Sequence, residues 1–600
     1  MSNPLQGSLF GESIEINATI KTSENPGEDI PVGISDEELT QDALARPRAP
    51  KKTKIESRNS DSPHKGSSCQ PQENTQTWSN HSDVSHEKLT PMLRHYVELK
   101  KENPQKILLY RLGDFYECFF EDAIKLSQLL ELTLTGKEGG KSIGRVPMAG
   151  IPHHAAERYC AEIIKKGLCV AICDQLETSP SQGNLLRRGI TRVLTPGTVI
   201  EEGMLQARRN NWLAAVVIEK VAESKEFKWG LACADVSTGE LIAMERVGIN
   251  FLHEELSKLE AAEVICKEYL DLPSSKWCPR NSHITHINKS YFNELETAIA
   301  IKEHYKIKTI DGLGIKESPM AIISIGSLIL YLKNTNPATK SESININSAE
   351  FSLDIPILKH QRENLILDSH TRRNLEITST QKDGQFHGSL LWAIDNTLTA
   401  MGGRNLRRWV EEPLIKKSKI IERQSIISEL VKERELRKKI RNLLRAMGDL
   451  ERLAGRASAG QAGARDLMAI AEALRRLPFI QQCIQELKSN GPSWLQYIAK
   501  ENKKLESLCT KIKYYLVENP PLSLTEGGII QDGVDNLLDG IRNQLDDQDN
   551  WLKNQENIEK ENSKINNLKL QYHRTFGYFL SVSKSKANSV PEHWIRRQTL

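Results

Sequence analysis

The stretch Ile107-Leu-Leu-Tyr-Arg-Leu-Gly-Asp-Phe-Tyr-Glu117 passes from an apolar run, through a Gly-Asp pair, to an aromatic residue two positions before a carboxylate. The apolar run 107–112 predicts a β-strand. From Cys118 to Leu130 the spacing is helical, and the residues on one face are Phe119, Ala123, Leu126 and Leu130. The sequence therefore predicts a strand-to-helix junction that presents Phe115 and Glu117.

The Phe-x-Glu spacing of this junction has a chemical consequence. In an extended segment residues i and i+2 point the same way, so Phe115 and Glu117 can face one target while Tyr116 turns to the core. An aromatic wedge beside a hydrogen-bond acceptor is suited to separating a DNA base step. A buried phenylalanine beside a solvated glutamate is the alternative that these residues leave open.

Composition indicates a multidomain protein rather than a membrane or secreted one. The 600 residues are 38% hydrophobic, which suffices for several cores. No apolar run reaches membrane-spanning length, and residues 1–17 resemble neither a secretory signal nor a transit peptide, so we expect a cytoplasmic location. Ten cysteines without a Cys-x-x-Cys pair favour reduced thiols. A net charge of +3 neither favours nor excludes DNA binding.

Residues 1–88 form a segment poor in aromatic residues and rich in polar ones, which predicts a disordered tail. Within it, Gln6-Gly-Ser-Leu-Phe10 resembles the short motif by which bacterial repair proteins dock on the replication sliding clamp. Leu9 and Phe10 would fill an apolar pocket while Gln6 sets the register. A tail that takes no part in docking is the alternative.

Beyond the tail, the patterns change along the chain. Alternating strand and helix patterns over residues 89–203 and 204–350 predict two α/β domains, the second with strands Trp212 to Ile218 and Trp229 to Asp235. Asp235 is expected to be structural rather than part of a nuclease site. From residue 351 the periodicity becomes helical, and apolar residues between 427 and 450 predict one long amphipathic helix.

A second helix is expected to begin after Gly527-Gly528, with apolar residues close to a heptad seam that would pack on a partner helix. The period then changes to two over residues 568–573, which predicts a strand ahead of a turn-back at Phe576-Gly577-Tyr578.

Two other patterns suggest chemistry that we do not expect. Thr135-Gly-Lys-Glu-Gly-Gly-Lys-Ser142 nearly matches a phosphate-binding loop, but threonine replaces its first glycine, so a polar loop is predicted. His153 and His154 precede several cysteines, but adjacent histidines diverge and the cysteines have apolar neighbours. Core packing is therefore favoured over a zinc site.

Several blocks, in order, resemble the MutS family of DNA mismatch repair proteins. They are Arg111-Leu-Gly-Asp-Phe-Tyr-Glu117, Val146-Pro-Met-Ala-Gly-Ile-Pro-His-His-Ala155, Arg192-Val-Leu-Thr-Pro-Gly-Thr198, Thr371-Arg-Arg-Asn-Leu-Glu-Ile377, Met401-Gly-Gly-Arg-Asn-Leu406, Phe576-Gly-Tyr578 and Ile595-Arg-Arg-Gln-Thr-Leu600. The resemblance covers roughly residues 89 to 600. Ordered blocks over such a length are far more specific than one short motif.

The resemblance implies a multidomain α/β plus all-α fold and a role for each region. It makes residues 89–203 a mixed α/β mismatch-recognition domain and 204–350 a connector resembling ribonuclease H. It makes 351–525 a helical core and lever, 526–575 an inserted DNA clamp arm, and 576–600 the return into the lever. Phe115 would be the wedge that kinks mismatched or looped-out DNA, with Glu117 beside it.

Basic side chains in these domains are the expected DNA backbone contacts, which hold the duplex without reading its sequence. The candidates are Lys137, Lys141, Arg187, Arg188, Arg192, Lys569, His573 and Arg574. His573 stands where relatives commonly have asparagine, which puts its phosphate contact in doubt.

The resemblance also implies partners and ligands of a longer protein. MutS proteins end in an ATPase domain, and since residues 1–600 contain no true phosphate loop, the chain is expected to stop before it, with no cofactor or metal of its own. The full-length parent would bind ATP and Mg²⁺, switch with ATP, form a homodimer, recruit a MutL-type partner and act at the bacterial nucleoid.

Two rival functions stay open at this point. A non-repair MutS paralogue would embrace branched DNA, although such paralogues typically lack the Phe-x-Glu pair. A nucleotide-dependent enzyme would use the 135–142 segment, and nucleotide titration would reveal it.

Overall fold

A computed structural model describes part of the chain. The described residues are 78–140, 143–176, 187–221, 224–269, 272–280, 282–335, 351–359, 364–487, 502–573, 577–583, 585–586, 590–591 and 593–595. Residues 1–77 of the predicted disordered tail, with Gln6, Leu9 and Phe10, lie outside them, as do Lys141 and Arg574. The end of that segment, residues 78–88, is folded instead: Val84 is buried, and the indole N–H of Trp78 donates to the carbonyl of Ile143 at 2.8 Å.

The described part of the chain forms two compact units. The first contains its residues up to Ile163 together with Cys169–Ile190, and the second contains Ile164–Leu168 and the chain from Thr191 onward.

The first unit is built on a mixed sheet with strand order β3-β4-β2-β1-β5-β6. Its strands are β1 (Ile107–Leu112), β2 (Phe115–Phe119), β3 (Thr135–Gly140), β4 (Gly144–Pro152), β5 (Val170–Gln175) and β6 (Arg188–Leu194). The helices are α1 (Pro91–Glu102), α2 (Phe120–Leu130) and α3 (Ala156–Lys165). Strand β1 pairs antiparallel with β2 and parallel with β5, so its apolar residues lie in the middle of the sheet.

The predicted strand over 107–112 is confirmed, but two neighbouring predictions are wrong. The helix expected from Cys118 begins at Phe120, because residues 115–119 pair with β1 on one side and β4 on the other. The loop expected from Thr135 is edge strand β3 as far as Gly140, antiparallel to β4. An extended strand paired with β4 does not form the tight loop that wraps a phosphate.

The second unit begins with another mixed sheet, of order β11-β10-β7-β8-β9-β12. Its strands are β7 (Leu213–Lys220), β8 (Phe227–Asp235), β9 (Glu240–Val247), β10 (Glu263–Lys267), β11 (His283–Ile287) and β12 (Ile357–Leu358). One face packs on α5 (Glu294–Tyr305) and α6 (Pro319–Thr335), and the other on α4 (Ile249–Leu259). Both strands predicted here are confirmed.

Helices dominate the rest of the second unit. They are α7 (Ser369–Asn374), α8 (Leu390–Ile394), α9 (Ala400–Glu411), α10 (Lys417–Lys432), α11 (Arg434–Arg445), α12 (Leu450–Ser458), α13 (Ala464–Gln485), α14 (Lys503–Tyr515) and α15 (Asn536–Ser563). Apolar side chains of α12, α13 and α14 form one core.

The single long helix predicted over 427–450 is wrong, because the chain leaves helical geometry at Glu433. The guanidinium of Arg437 donates to the carbonyls of Leu430 and Val431, at 2.7 and 3.2 Å. It thereby satisfies acceptors that a continuous helix would have paired.

The last described elements match the predicted change of period. After α15, strands β13 (Lys569–His573) and β14 (Gly577–Ser581) form an antiparallel pair. A helix is confirmed here, but it begins at Asn536 rather than directly after Gly527-Gly528, and the seam residues Leu537, Ile541 and Leu545, expected to pack on a partner helix, are exposed.

Charged side chains join the first sheet of the second unit to helix α9. Glu412 follows α9. Its Oε1 forms ion pairs with the Nζ of Lys359 at 2.7 Å and with the Nζ of Lys258, on α4, at 3.0 Å. Burial alone would raise the pKa of Glu412, but the two ammonium groups outweigh it and lower the pKa to about 2. The ion pairs therefore depend on an ionised, mostly buried carboxylate.

Candidate nucleic-acid interface

Phe115 lies at a tight hairpin turn of the first unit. The turn Gly113-Asp114 joins β1 to β2, and Gly113 adopts a φ of +60°, which other residues adopt only with strain. The backbone N–H of His153 donates to the Asp114 carbonyl at 2.8 Å, which ties the turn to the end of β4. The ring is consequently presented from a constrained backbone, and 49% of Phe115 is exposed.

The residues of β2 alternate between two faces. Tyr116 is 5% exposed and its hydroxyl donates to Asp174 at 2.7 Å, so the prediction that it turns to the core is confirmed. Burial, and then Asp174, raises the pKa of Tyr116 well above its usual value. Phe115, Glu117 and Phe119 lie on the opposite face. Along it Phe115 is exposed, Glu117 is partly buried and Phe119 is fully buried.

Glu117 is bound by a lysine from another strand. The ammonium Nζ of Lys137, on β3, donates to Glu117 Oε2 at 2.6 Å. The same Nζ lies 5.4 Å from the centre of the Phe119 ring. The sequence predicted Lys137 as a phosphate contact, and the fold brings it to the carboxylate beside Phe115.

The predicted arginines of this region differ in their surroundings. Arg187 is exposed. Arg188 donates to the carbonyl of Arg111 at 3.0 Å and stacks on the Tyr110 ring. Arg192, in β6, pairs with Glu201. The phosphate contacts assigned to these arginines stay predictions.

The candidate residues near the chain's end belong to the second unit. Lys569 begins β13 and its side chain is exposed, whereas only the backbone of His573, in the same strand, is described. Leu570 N–H donates to Glu556 of α15 at 2.9 Å, which attaches this hairpin to the helix. Their DNA contacts also stay predictions.

Other chemistry finds little support in the described part of the chain. No group of three or more His, Cys, Asp or Glu side chains there could hold a metal ion. Asp235 accepts bonds from Asn210, Asn211 and Ser237, which fits the structural role predicted for it. Within the same described ranges, no helix is long and apolar enough to cross a membrane.

Sequence reasoning missed Glu263, a fully buried carboxylate at the start of β10. Its Oε2 accepts from Thr195 and from the Gly197 N–H at 3.0 Å. Its Oε1 accepts from Thr285 at 2.6 Å and Tyr331 at 2.7 Å. The donors are distant in sequence, so no local pattern marks this residue.

Together these features describe a multidomain α/β and helical protein with an exposed aromatic residue beside a paired carboxylate. Sequence models of MutS domain I, MutS domain II and MutS domain III match residues 90–203, 211–344 and 370–584. The chain belongs to the MutS family.

Curated relatives extend this similarity over the whole chain. DNA mismatch repair protein MutS from Synechococcus sp. (strain CC9605) is 55% identical over 598 residues, which cover 99% of this chain and 65% of the relative. The protein of that name from Prochlorococcus marinus (strain MIT 9303) is 54% identical over 601 residues, covering 99% and 64%. The chain thus spans 64 to 65% of the length of these relatives.

Proposed function

We propose that this chain recognises mismatched or looped-out base pairs in duplex DNA, and that recognition begins DNA mismatch repair. Phe115 would enter the duplex as a wedge and kink it. The proposal is supported by the relatives' name, DNA mismatch repair protein MutS, and by the match of MutS domain I to the residues that carry the wedge.

The exposure of Phe115 is the observation that carries the proposal. Tyr116 and Phe119, in the same strand, are buried, whereas half of Phe115 faces solvent at a constrained turn. Burial in the protein's own core, the alternative for this residue, does not account for an aromatic ring held in that position. An exposed ring on a rigid support can instead be placed between bases at little conformational cost.

The greater deformability of mismatched DNA would allow the protein to discriminate it from paired DNA. Bending a duplex site smoothly costs on the order of 1 to 6 kcal/mol, and unstacking a base step costs a few kcal/mol more. A mispaired step is already weakly stacked, so part of this cost is absent there. One wedge can therefore accept many mispairs without reading each base.

Glu117 would sharpen the preference. Its negative charge repels the phosphates of intact duplex, which penalises binding to paired DNA. A mispaired base that donates a hydrogen bond to the carboxylate would offset this penalty. The carboxylate and the ring lie on one face of β2, so both can reach the same base step.

For the longer protein we propose the remaining features of the family. ATP and Mg²⁺ would drive a conformational switch, a homodimer would enclose the DNA, and a MutL-type protein would be the next partner. The hairpin with Lys569 would contact the DNA backbone as a clamp arm, and Gln6, Leu9 and Phe10 would dock on the sliding clamp.

Competition binding of paired against single-mismatch duplexes, at one stated salt concentration, tests the wedge. We expect Phe115→Ala to lose the preference for the mismatch while it keeps salt-sensitive DNA binding. Glu117→Ala should raise the affinity for paired DNA. Tyr269→Ala, which removes an aromatic residue 88% exposed in the second unit, is the matched control and should leave the preference unchanged. A Phe115→Ala variant that prefers the mismatch as strongly as the parent would disprove the wedge.

A further inference from the structure

The charge of the wedge carboxylate is offset in part by an ion pair inside the protein. Lys137 Nζ and Glu117 Oε2 are 2.6 Å apart, and the two side chains are 33% and 18% exposed. A pair that is only partly exposed is screened less by solvent than one on an open surface. Glu117 therefore does not present a full negative charge to an approaching duplex.

The fold holds this pair in place from several sides. Strand β4 lies between β3, which carries Lys137, and β2, which carries Glu117. The β4 residue paired with Glu117 is Gly150, and a Cβ built there would lie 3.7 Å from the glutamate Cγ. The buried Phe119 ring, 5.4 Å from Nζ, attracts the same ammonium group.

We propose that Lys137 is a specificity-determining residue, which sets how strongly Glu117 penalises paired DNA. This inference rests on the function proposed above. In the free protein and on paired duplex, the ammonium group compensates the carboxylate. On a mismatch, a base N–H takes over part of that compensation.

Lys137 can set the specificity because only mismatched DNA offers Glu117 another hydrogen-bond donor in place of the lysine. If the ammonium group is removed, paired DNA meets an uncompensated carboxylate and is repelled more strongly. A mispaired base can still donate a hydrogen bond to Glu117, so mismatched DNA loses less affinity. Removal of Lys137 should therefore increase the ratio of mismatch affinity to paired affinity.

A phosphate contact would behave differently. A lysine that only neutralises a DNA phosphate contributes equally to every sequence, so its loss lowers both affinities and leaves their ratio unchanged. The ratio thus separates the two roles even though both lower the total affinity.

The test is competition binding of the full chain with the same paired and single-mismatch duplexes at fixed salt. Lys137→Gln should increase the mismatch preference roughly two- to fivefold, as a partly exposed ion pair allows. Lys137→Arg keeps the charge and should retain the parental ratio. Lys101→Gln removes an exposed lysine of α1 in the same unit and should also leave the ratio unchanged.

A double-mutant cycle links the effect to the carboxylate. In a Glu117→Gln background, Lys137→Gln should no longer change the ratio, because no charge is left to compensate. An unchanged or reduced ratio for Lys137→Gln in the parental background would overturn the proposal while leaving the wedge intact. A parent that shows no mismatch preference would overturn the proposed function and this inference together.

Discussion

Replacing Glu263 by alanine should weaken the segment around Thr195-Pro-Gly-Thr198 that its carboxylate holds. The side chain is fully buried and accepts four hydrogen bonds. The Thr195 hydroxyl has a second partner in Thr198, at 3.0 Å. The buried Gly197 N–H loses its acceptor, at about 1 to 3 kcal/mol, and the Thr285 hydroxyl loses a hydrogen bond worth about 1 kcal/mol. We expect a loss of about 3 kcal/mol in local stability.

Hydrogen exchange resolved to short peptides measures this loss directly. A change of about 3 kcal/mol corresponds to roughly a hundredfold faster exchange of the Gly197 amide, since each 1.4 kcal/mol is a factor of ten. Glu268→Ala, at an exposed site just after β10, is the matched control and should leave that amide protected. An increase of less than about tenfold in Glu263→Ala would refute the claim that the carboxylate anchors this segment.

Two further predictions concern the stability of the second unit: its dependence on pH through Glu412, and the packing of α6 on α5. The pKa of Glu412 lies near 2 in the folded chain against an ordinary 4.5, so its ion pairs stabilise the fold above pH 4.5. That contribution, about 3 kcal/mol, should disappear as the pH falls from 4.5 to 2. The denaturant midpoint should therefore fall as the pH is lowered from 4.5 to 2, and it should fall less steeply in Glu412→Gln. An equally steep fall in both proteins would contradict the claim that Glu412 causes it. Gly326→Ala places a Cβ 2.3 Å from the Cβ of Thr297, so α6 must move from α5 and we expect a loss of about 2 kcal/mol. A urea midpoint equal to the parent's would show that the helices accommodate the methyl group.

Local sequence patterns predicted several elements correctly where the pattern and the element span the same few residues. The apolar run 107–112 is strand β1, and the period of two after residue 568 is strand β13. The alternation around Tyr116 also placed its side chain in the core. In each case neighbouring residues carry both the pattern and the geometry.

Failures occurred where pairing with distant segments competed with the local signal. Cys118 and Phe119 have helical spacing, but β4 pairs with them and extends β2. The glycine-rich segment from Thr135 has the composition of a loop, but it pairs with β4 and forms the edge strand of the sheet. Ladder hydrogen bonds with β4 thus outweighed weak intrinsic preferences at both positions.

The amino-acid sequence alone determined that an aromatic residue and a carboxylate share one face of an extended segment, since alternation along a strand is a property of the backbone. It also carried the ordered blocks that indicate the family. Only the tertiary structure brought Lys137 to Glu117 across β4, and placed Glu263 among donors from three other segments. Such pairings depend on which strands become neighbours, and that choice is made by burying apolar surface throughout each unit rather than by the residues that meet there.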